Sequence, residues 1–235
     1  MCAGPAVLAV AVPQLHRGPA PADLPTSAPV AAAPLDGTLD VWVWAADDAA
    51  RRRVTIHEPG VLPLRSGDQI RLEALLSRPA YVYLVLIDSH GHVQPIHPWT
   101  QGDWGSLPAE RSPTDRLSLP ETADQGWRVT APYGTETLLL LARDEPLPPE
   151  LDLQGLLAGL PQQHSGAPGQ AIWFADGRPL TKASDALRGI ELHDTAQIDD
   201  SLLVTQRLIQ ERLGEHFPMR RAVSFASAAA HEGEN

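Results

Sequence analysis

Three histidines lie close together in the sequence and are the residues most suited to chemistry. His90 and His92 are separated by one residue, and His97 follows five residues later. An H-x-H step on a strand directs both imidazoles to one face, and zinc sites use such ligands. A glycine between the first two histidines and prolines around the third disfavour a regular strand. The pattern therefore leaves two interpretations: a metal site formed by His90, His92 and His97, or solvated histidines in a turn.

Other catalytic patterns have little support in the sequence. There is no Gly-x-Ser-x-Gly motif, and the only thiol, Cys2, has no base beside it in the sequence. Glycines 155 and 159 are not followed by the Lys-Ser or Lys-Thr of a phosphate-binding loop. We predict a protein that is not an enzyme, with no catalytic residue and no cofactor. A hydrolase whose groups come from distant parts of the chain is a less favoured alternative.

Tryptophans are the second set of candidate functional residues. Trp99 and Trp104 lie in a long connection rich in proline and glycine, residues 98–113, and connections of this kind often carry binding function. We therefore predict that Trp99 and Trp104 lie at the surface and bind a partner. Trp42, Trp44 and Trp127 belong to predicted strands, and we expect these three to fill the core.

Composition limits the class of protein and of partner. The chain has 235 residues, 43% hydrophobic and 20% charged, which is typical of one or two globular domains. Its net charge is 18 − 29 = −11, and the only basic run, residues 51–53, is too short to form a groove. An acidic chain repels phosphate backbones, so we predict no nucleic acid partner. One cysteine excludes an intrachain disulfide.

The first part of the chain is rich in proline and alanine, and residues 1–37 are predicted to be a disordered linker. The apolar run at residues 6–12 is short and lacks preceding basic residues, so it is a poor signal peptide. No run approaches the roughly 20 apolar residues that span a bilayer. We predict no membrane insertion and a cytoplasmic location, or a periplasmic or envelope-associated one if the true start lies upstream.

Short apolar runs separated by turn signals fill the middle of the sequence. They predict strands at 39–44, 53–56, 69–76, 80–87, 93–97, 116–119, 126–131 and 136–142. Strands of this length and spacing are typical of an antiparallel β-sandwich, and we predict one of immunoglobulin-like character over residues 38–145. In its strand at 80–87 both faces are apolar, which indicates a central strand covered on both sides.

The last third of the sequence predicts an α+β extension over residues 148–228, which makes the fold α+β overall. Leucines at 153, 156, 157 and 160 predict a short amphipathic helix. A second helix is predicted to begin at residues 199–201 and end before Pro218, with strands at 171–174, 190–192 and 222–225. Residues 229–235 are predicted to be a disordered tail.

Several motifs from residue 66 onward occur in an order that resembles a known family. They are Ser66-Gly67-Asp68, then Ala80-Tyr81-Val82-Tyr83, then Asp88, Gly91 and Val93, then Ile96-His97-Pro98, and finally Pro132-Tyr133-Gly134 before Glu136 and Leu138. In these the chain resembles the bacterial family of domains of unknown function numbered 4384, over roughly residues 53–145. The resemblance implies a β-rich accessory domain joined to modules such as protein kinases, caspase-like peptidases and envelope-associated proteins. It transfers no catalytic residue to this chain.

The same motifs also have a structural interpretation. Gly67 and Gly91 suit turn positions with positive φ, and Asp68 and Asp88 can accept hydrogen bonds from turn amides. Glu136 is expected to bond a neighbouring strand or to pair with an arginine.

The function that the sequence favours is recognition without catalysis. We predict a non-catalytic accessory module that binds a protein partner. The family resemblance implies a kinase or an envelope-associated protein as that partner, in a bacterial signalling or cell-envelope context. Its acidic surface would select basic patches on that partner. The alternative is a domain that binds a metal or a small ligand through His90, His92 and His97.

Overall fold

The computed structural model describes residues 33–45, 48–100, 102–122, 124–162 and 200–229, and the backbone alone of two short strands at 172–175 and 178–179. The described residues from 34 onward belong to one compact unit. None of the helices in the described part is long and apolar enough to cross a membrane.

The described part is mostly β-structure. The strands are β1 (Gly37–Trp44), β2 (Arg52–Thr55), β3 (Leu64–Arg65), β4 (Gln69–Ile87), β5 (Val93–His97), β6 (Thr114–Leu119), β7 (Trp127–Arg128), β8 (Thr135–Arg143), β9 (Ile172–Ala175), β10 (Arg178–Pro179) and β11 (Met219–Ala228). The helices are α1 (Leu153–Leu156) and α2 (Asp200–Leu213), and short 3-10 turns occur at Ala49–Arg51 and Trp104–Ser106.

All eleven strands belong to one curled sheet. Its main path runs β10-β9-β11-β8-β4-β1-β2, while β5, β6 and β7 pair with β4 and β3 pairs with β11. The β3–β11 pair is parallel and the others are antiparallel, so the sheet is mixed. The predicted β-rich character is confirmed, but the sheet is mixed where a purely antiparallel one was predicted, because β3 pairs in parallel with β11. β11 follows the boundary predicted at residues 145–148 and pairs with β8, which precedes it.

The strand β4 differs from the sequence prediction. Strands were predicted at 69–76 and 80–87 with a break between them, but the backbone runs as one strand of 19 residues. Its first half pairs with β1, β6 and β7, and its second half pairs with β5 and β8. Pro79 lies where the pairing with β6 shifts register, which is a position where a missing N–H does not interrupt a regular ladder. The proline therefore marks a change of partners within the strand.

Alternation along β4 separates two apolar clusters. Even-numbered residues face an inner cluster along the whole strand; among them are Leu72 and Ala74 in the first half and Val82 and Leu84 in the second. Odd-numbered residues of the second half face an outer cluster; these are Tyr83, Val85 and Ile87. The outer cluster also contains residues of α1, α2 and the loop 98–107, so the second half of β4 is covered on both faces, as predicted.

A buried ion pair fixes the turn that precedes β4. The Arg51 guanidinium lies 2.6 Å from Asp68 Oδ2, and both side chains are about 5% exposed or less. Arg51 Nη2 also donates to the carbonyl of Val61, and the backbone N–H of Arg65 donates to Asp68 Oδ2. Gly67 has φ of +90°. The predicted roles of Gly67 and Asp68 in this turn are therefore confirmed.

The ends of several other helices and strands differ from the predicted ones by a few residues. The first predicted helix ends early, since α1 covers Leu153–Leu156, although Leu157 and Leu160 are buried beside it. The strands β8 and β11 are longer than predicted. The strand predicted at 190–192 lies outside the described residues, as do most of the N-terminal linker predicted at 1–37 and of the tail predicted at 229–235. The domain boundaries as such stay a prediction.

Replacing Arg51 by Ala should lower the free energy of unfolding by about 3–5 kcal/mol, because the buried Asp68 carboxylate loses its cation. Arg65→Ala is the matched control. Its guanidinium lies 3.7 Å from Asp48 in an exposed pair, and its loss should cost at most about 1 kcal/mol. Urea unfolding of both variants measures the difference. Equal losses would contradict the structural role assigned to the buried pair.

Candidate functional site

The turn between β4 and β5 is built around one carboxylate. Asp88 Oδ1 accepts hydrogen bonds from the backbone N–H groups of His90 and His92, at 2.8 and 2.9 Å. Asp88 is 9% exposed, and Gly91 has φ of +79°. The predicted roles of Asp88 and Gly91 are thus confirmed, and the turn is fixed without a ligand.

The structure brings together two of the three candidate metal ligands. The His90 and His92 rings stack with centroids 6.0 Å apart, and His92 Nδ1 lies 3.4 Å from Asp88 Oδ2. His97 ends β5, five residues beyond His92 and so roughly 16 Å along an extended strand. In the described part of the chain, no group of three or more His, Cys, Asp or Glu side chains is placed to hold a metal ion.

His97 is also in a different environment from the other two histidines. It is half-buried opposite Leu84 of β4. Burial lowers the pKa of His97, and the negative charge of Glu121 opposes this effect only in part. A half-buried imidazole on a paired strand can pack as a structural residue, which needs no ligand.

A second carboxyl lies at the same end of the sheet as the histidine turn. Ser227 of β11 donates a 2.6 Å hydrogen bond to Glu136 Oε1 of β8. A bond to a neighbouring strand was one of the two alternatives expected for Glu136. Burial raises the pKa of Glu136, the bond from Ser227 lowers it, and the charge of Asp88 raises it further. The turn packs closely here, since a Cβ on Gly134 would lie 2.6 Å from the Cβ of Ser89.

The predicted surface position of Trp99 is wrong. Trp99 is 6% exposed and packs in the outer cluster, with its ring centroid 5.6 Å from that of Tyr83 and 5.2 Å from that of Trp104. Trp104 is half-buried. The Tyr83 hydroxyl accepts hydrogen bonds from Arg111 Nη1 and from the N–H of Leu147. These aromatic and hydrogen-bond contacts therefore hold the loop 98–113 on the sheet, with the Trp99 side chain buried between the sheet and the rest of the loop.

The predicted core positions of Trp42 and Trp44 are also wrong. In β1 the buried residues are Leu39, Val41 and Val43, and both tryptophans lie half-buried on the opposite face. Trp127 is also half-buried and packs against the edge of the inner cluster. The predicted alternation of β1 agrees with the structure, but the aliphatic side chains fill the core and the two tryptophans lie on the outer face.

These tryptophans belong to a surface that the sequence analysis missed. We define the Trp42 face as Asp40, Trp42, Trp44, Glu73 and Leu75, all on the outer side of β1 and the first half of β4. Leu75 is 44% exposed, one of two exposed large hydrophobic side chains in the described part of the chain. Asp40 and Glu73 are directly opposite each other in the strand pairing. The face thus combines aromatic, aliphatic and acidic groups, and the register places two arginines beside them, Arg71 opposite Trp42 and Arg116 opposite Leu75.

A buried arginine secures one side of this face. Arg71, opposite Trp42, donates to the carbonyls of Thr122, Gln125 and Pro120 at 2.6–3.0 Å and to the Ser118 hydroxyl at 3.2 Å. Its guanidinium therefore holds the loop 120–125 against the sheet. The indole N–H of Trp42 is buried and has no hydrogen-bond acceptor among the described residues. Such a donor costs about 1–3 kcal/mol of stability.

Gly91 is required by close packing as well as by its backbone angle. A Cβ there would lie 2.5 Å from the carbonyl oxygen of Leu160, whereas at Gly67, with a similar φ, it would meet nothing within 4 Å. Gly67→Ala should cost about 1–2 kcal/mol of unfolding free energy through its positive φ alone. Gly91→Ala should cost about 1–3 kcal/mol more. Equal losses in urea unfolding would contradict the packing of the turn on residues 160–161.

The raised pKa of Glu136 predicts a pH-dependent effect on stability. The folded state binds the proton of the Glu136 carboxyl group more tightly than the unfolded chain does. Protonation of Glu136 therefore stabilises the folded state, and this stabilisation is fully present below the usual pKa of glutamate. It is lost as the pH rises through the raised pKa. The unfolding free energy of Glu136→Gln, compared with that of the wild type, should therefore increase from about pH 4 to pH 8. Glu150→Gln, at an exposed site, is the control, and a pH-independent difference at Glu136 would contradict the assignment.

Comparison with known proteins identifies one part of the chain. No curated protein and no solved structure gives a significant match. Residues 63–146, which run from β3 through β8 and include Glu73, Leu75, the histidine turn and Glu136, match one family model. This confirms the resemblance noted in the sequence: residues 63–146 match the family model described as Domain of unknown function (DUF4384).

Proposed function

We propose that this protein is a non-catalytic accessory module that binds a protein partner through the Trp42 face. The observation that carries this proposal is the placement of Trp42, Trp44 and Leu75 on a sheet face that lies outside both apolar clusters. Tryptophan is the side chain most enriched among residues that dominate binding energy, because it combines a large apolar area with little conformational freedom.

The strand pairing supports this choice of surface. The outer side of β4 is covered by helices and a loop over its second half, whereas over its first half it carries exposed Leu75. A sheet face of this kind, with aromatic side chains and a polar surrounding, is the usual composition of a protein-binding patch. The net charge of −11 favours partners with basic surfaces.

The context of this recognition is part of the proposal. The family resemblance supports an accessory role in a bacterial signalling or cell-envelope assembly, with a kinase or an envelope-associated protein as the partner. We also propose that the curled sheet folds over on itself to form a sandwich of immunoglobulin-like character, followed by an α+β extension. Residues of β1 and of β8 and β11 line the same inner cluster, which supports two facing layers.

Fewer residues in the structure support the competing functions, which are metal or ligand binding and hydrolysis. A metal or small ligand at the histidine turn would have His90 and His92 beside each other, with His97 farther along β5. A hydrolase would need a nucleophile and a base in contact. Ser89 Oγ lies 3.4 Å from His90 Nδ1, but both belong to an exposed turn and are adjacent in sequence.

The proposal predicts that binding depends on the Trp42 face alone. Wild-type protein and the variants Trp44→Ala and Leu75→Ser are used to capture proteins from lysate of the source cells. Leu203→Ser is the matched control, since Leu203 is a similarly exposed leucine on α2, at 38%. We expect a partner that is retained by the wild type and Leu203→Ser. Both face variants should weaken its binding by about tenfold or more, measured with the purified partner.

Thermal unfolding of each variant separates lost binding from lost folding. If folded Trp44→Ala and Leu75→Ser retain every captured protein as the wild type does, the Trp42 face is not the binding surface and the proposal fails.

A further inference from the structure

We propose that Arg111 and Arg143 form a binding site for the phosphate group of a small molecule at the edge of the outer cluster. Arg111 belongs to the loop 98–113, and Arg143 is the last residue of β8. The Trp42 face is formed by β1 and the first half of β4, whereas β8 pairs with the second half of β4. This inference therefore does not depend on the proposed function.

The strand register and one hydrogen bond bring the two arginines to the same tyrosine. Arg143 is directly opposite Tyr81 in the pairing of β4 with β8, and it is diagonal to Tyr83, whose partner is Leu141. Diagonal neighbours lie about 7–8 Å apart, which long side chains can span. Arg111 Nη1 donates to the Tyr83 hydroxyl oxygen at 2.8 Å, and its guanidinium carbon lies 5.7 Å from the centre of the Tyr83 ring.

The positive charges of both arginines act on the Tyr83 hydroxyl. Burial raises the pKa of Tyr83, while the hydrogen bond from Leu147 and the charges of Arg111 and Arg143 lower it. Among the described residues, Arg143 has neither a hydrogen bond nor an ion pair, and Arg111 has no ion pair. Both arginines are half-buried, so water screens their repulsion incompletely. An anion between the two guanidinium groups would replace this repulsion with attraction.

The carboxylates nearest in sequence do not supply this anion. Asp144, which follows Arg143, accepts hydrogen bonds from Arg78 through both of its oxygens. Glu110 and Glu145 are exposed, and within the described ranges neither forms an ion pair. Both guanidinium groups of the proposed site are thus left without a bonded carboxylate from this part of the chain.

Hydrogen-bond donors outnumber acceptors around these arginines. Arg111 Nε is buried without an acceptor. The Tyr83 oxygen already accepts from Arg111 and from the N–H of Leu147, and its own proton has no acceptor in the part of the chain that the structure describes. The polar atoms of Arg143 and Tyr81 have no partner there either, and they are open to solvent. A ligand that brings several acceptor oxygens would satisfy donors that the protein leaves unused.

The charge and the donor geometry favour a phosphate group over other anions. A phosphate monoester carries a charge of about −1.5 to −2 at pH 7 and has three acceptor oxygens, which suits two guanidinium groups and a hydroxyl. A carboxylate has one charge and two oxygens. The net charge of −11 repels a polymer of phosphates, so we assign the site to a single phosphate group on a small molecule.

The test titrates the full chain with phenyl phosphate, and binding is followed by NMR through the Nε–H signal of Arg111. Benzoate is the matched comparison, because it has the same ring with one charge and two oxygens. We expect phenyl phosphate to shift the signal to saturation and to bind about tenfold or more tightly than benzoate. Inorganic phosphate should displace phenyl phosphate, and raising the concentration of sodium chloride should weaken binding.

A variant of Arg143 tests the site itself, because this side chain has no hydrogen bond to lose in the described part of the chain. Arg143→Gln should stay folded and weaken phenyl phosphate by about tenfold or more. Arg143→Lys should weaken it less, since the charge remains and only the planar fork is lost. Arg116→Gln is the matched control. It removes an exposed arginine of β6, which pairs with the first half of β4, and should leave binding unchanged.

Three outcomes overturn the inference. The first is benzoate binding as tightly as phenyl phosphate, or no shift up to the solubility limit of phenyl phosphate. The second is folded Arg143→Gln binding as the wild type does. The third concerns the source of the phosphate group: if a capped Gly/Ser peptide with one phosphoserine binds tenfold more tightly than phenyl phosphate, the site serves a phosphorylated protein and not a small molecule. Trp44→Ala and Leu75→Ser should bind phenyl phosphate normally, so these results leave the proposed function untouched.

Discussion

The hydrogen bonding of one strand constrains the rest of this structure. β4 is continuous over 19 residues and pairs with five other strands, changing partners near Pro79. Because it has no break, the alternation of its side chains is kept from one end to the other. Its even-numbered residues therefore line a single inner cluster, and the surroundings of its odd-numbered residues depend on what each half of the strand packs against. A shift of one residue would exchange the two faces everywhere.

This constraint explains why the tryptophans are not where residue type alone predicts. In the second half of β4, Tyr83 is buried on the outer side and anchors Trp99 and the loop around it through ring contacts and its hydroxyl. In the first half, the outer side is shared with β1, and Trp42 and Trp44 stay half-exposed beside Asp40. Burial thus follows the covering of the sheet and not the hydrophobicity of the tryptophan.

The sequence predicts most strands because their apolar alternation is local. It also predicts the turns at Gly67 and Gly91, where positive φ and an aspartate acceptor are short-range requirements. It does not predict that β4 continues through Ser77, Arg78 and Pro79, since this depends on the pairing of each half with distant strands. The Trp42 face is missed for the same reason. Asp40 and Glu73 become neighbours only when β1 and β4 pair in one register, and a single sequence contains no record of that register.

The buried polar groups in the described part of this protein differ in how well they are satisfied. Arg51 and Asp68 neutralise each other and bond to nearby backbone, although Arg51 Nε has no acceptor among the described residues. On the Trp42 face, two carboxylates oppose each other and an indole N–H has no acceptor among the described residues. Local interactions that oppose folding tend to occur where a surface is selected for binding. The inner cluster supplies enough burial for the fold to tolerate this cost. The unpaired Trp42 indole and the exposed Leu75 therefore coincide on the face that is proposed to bind a partner.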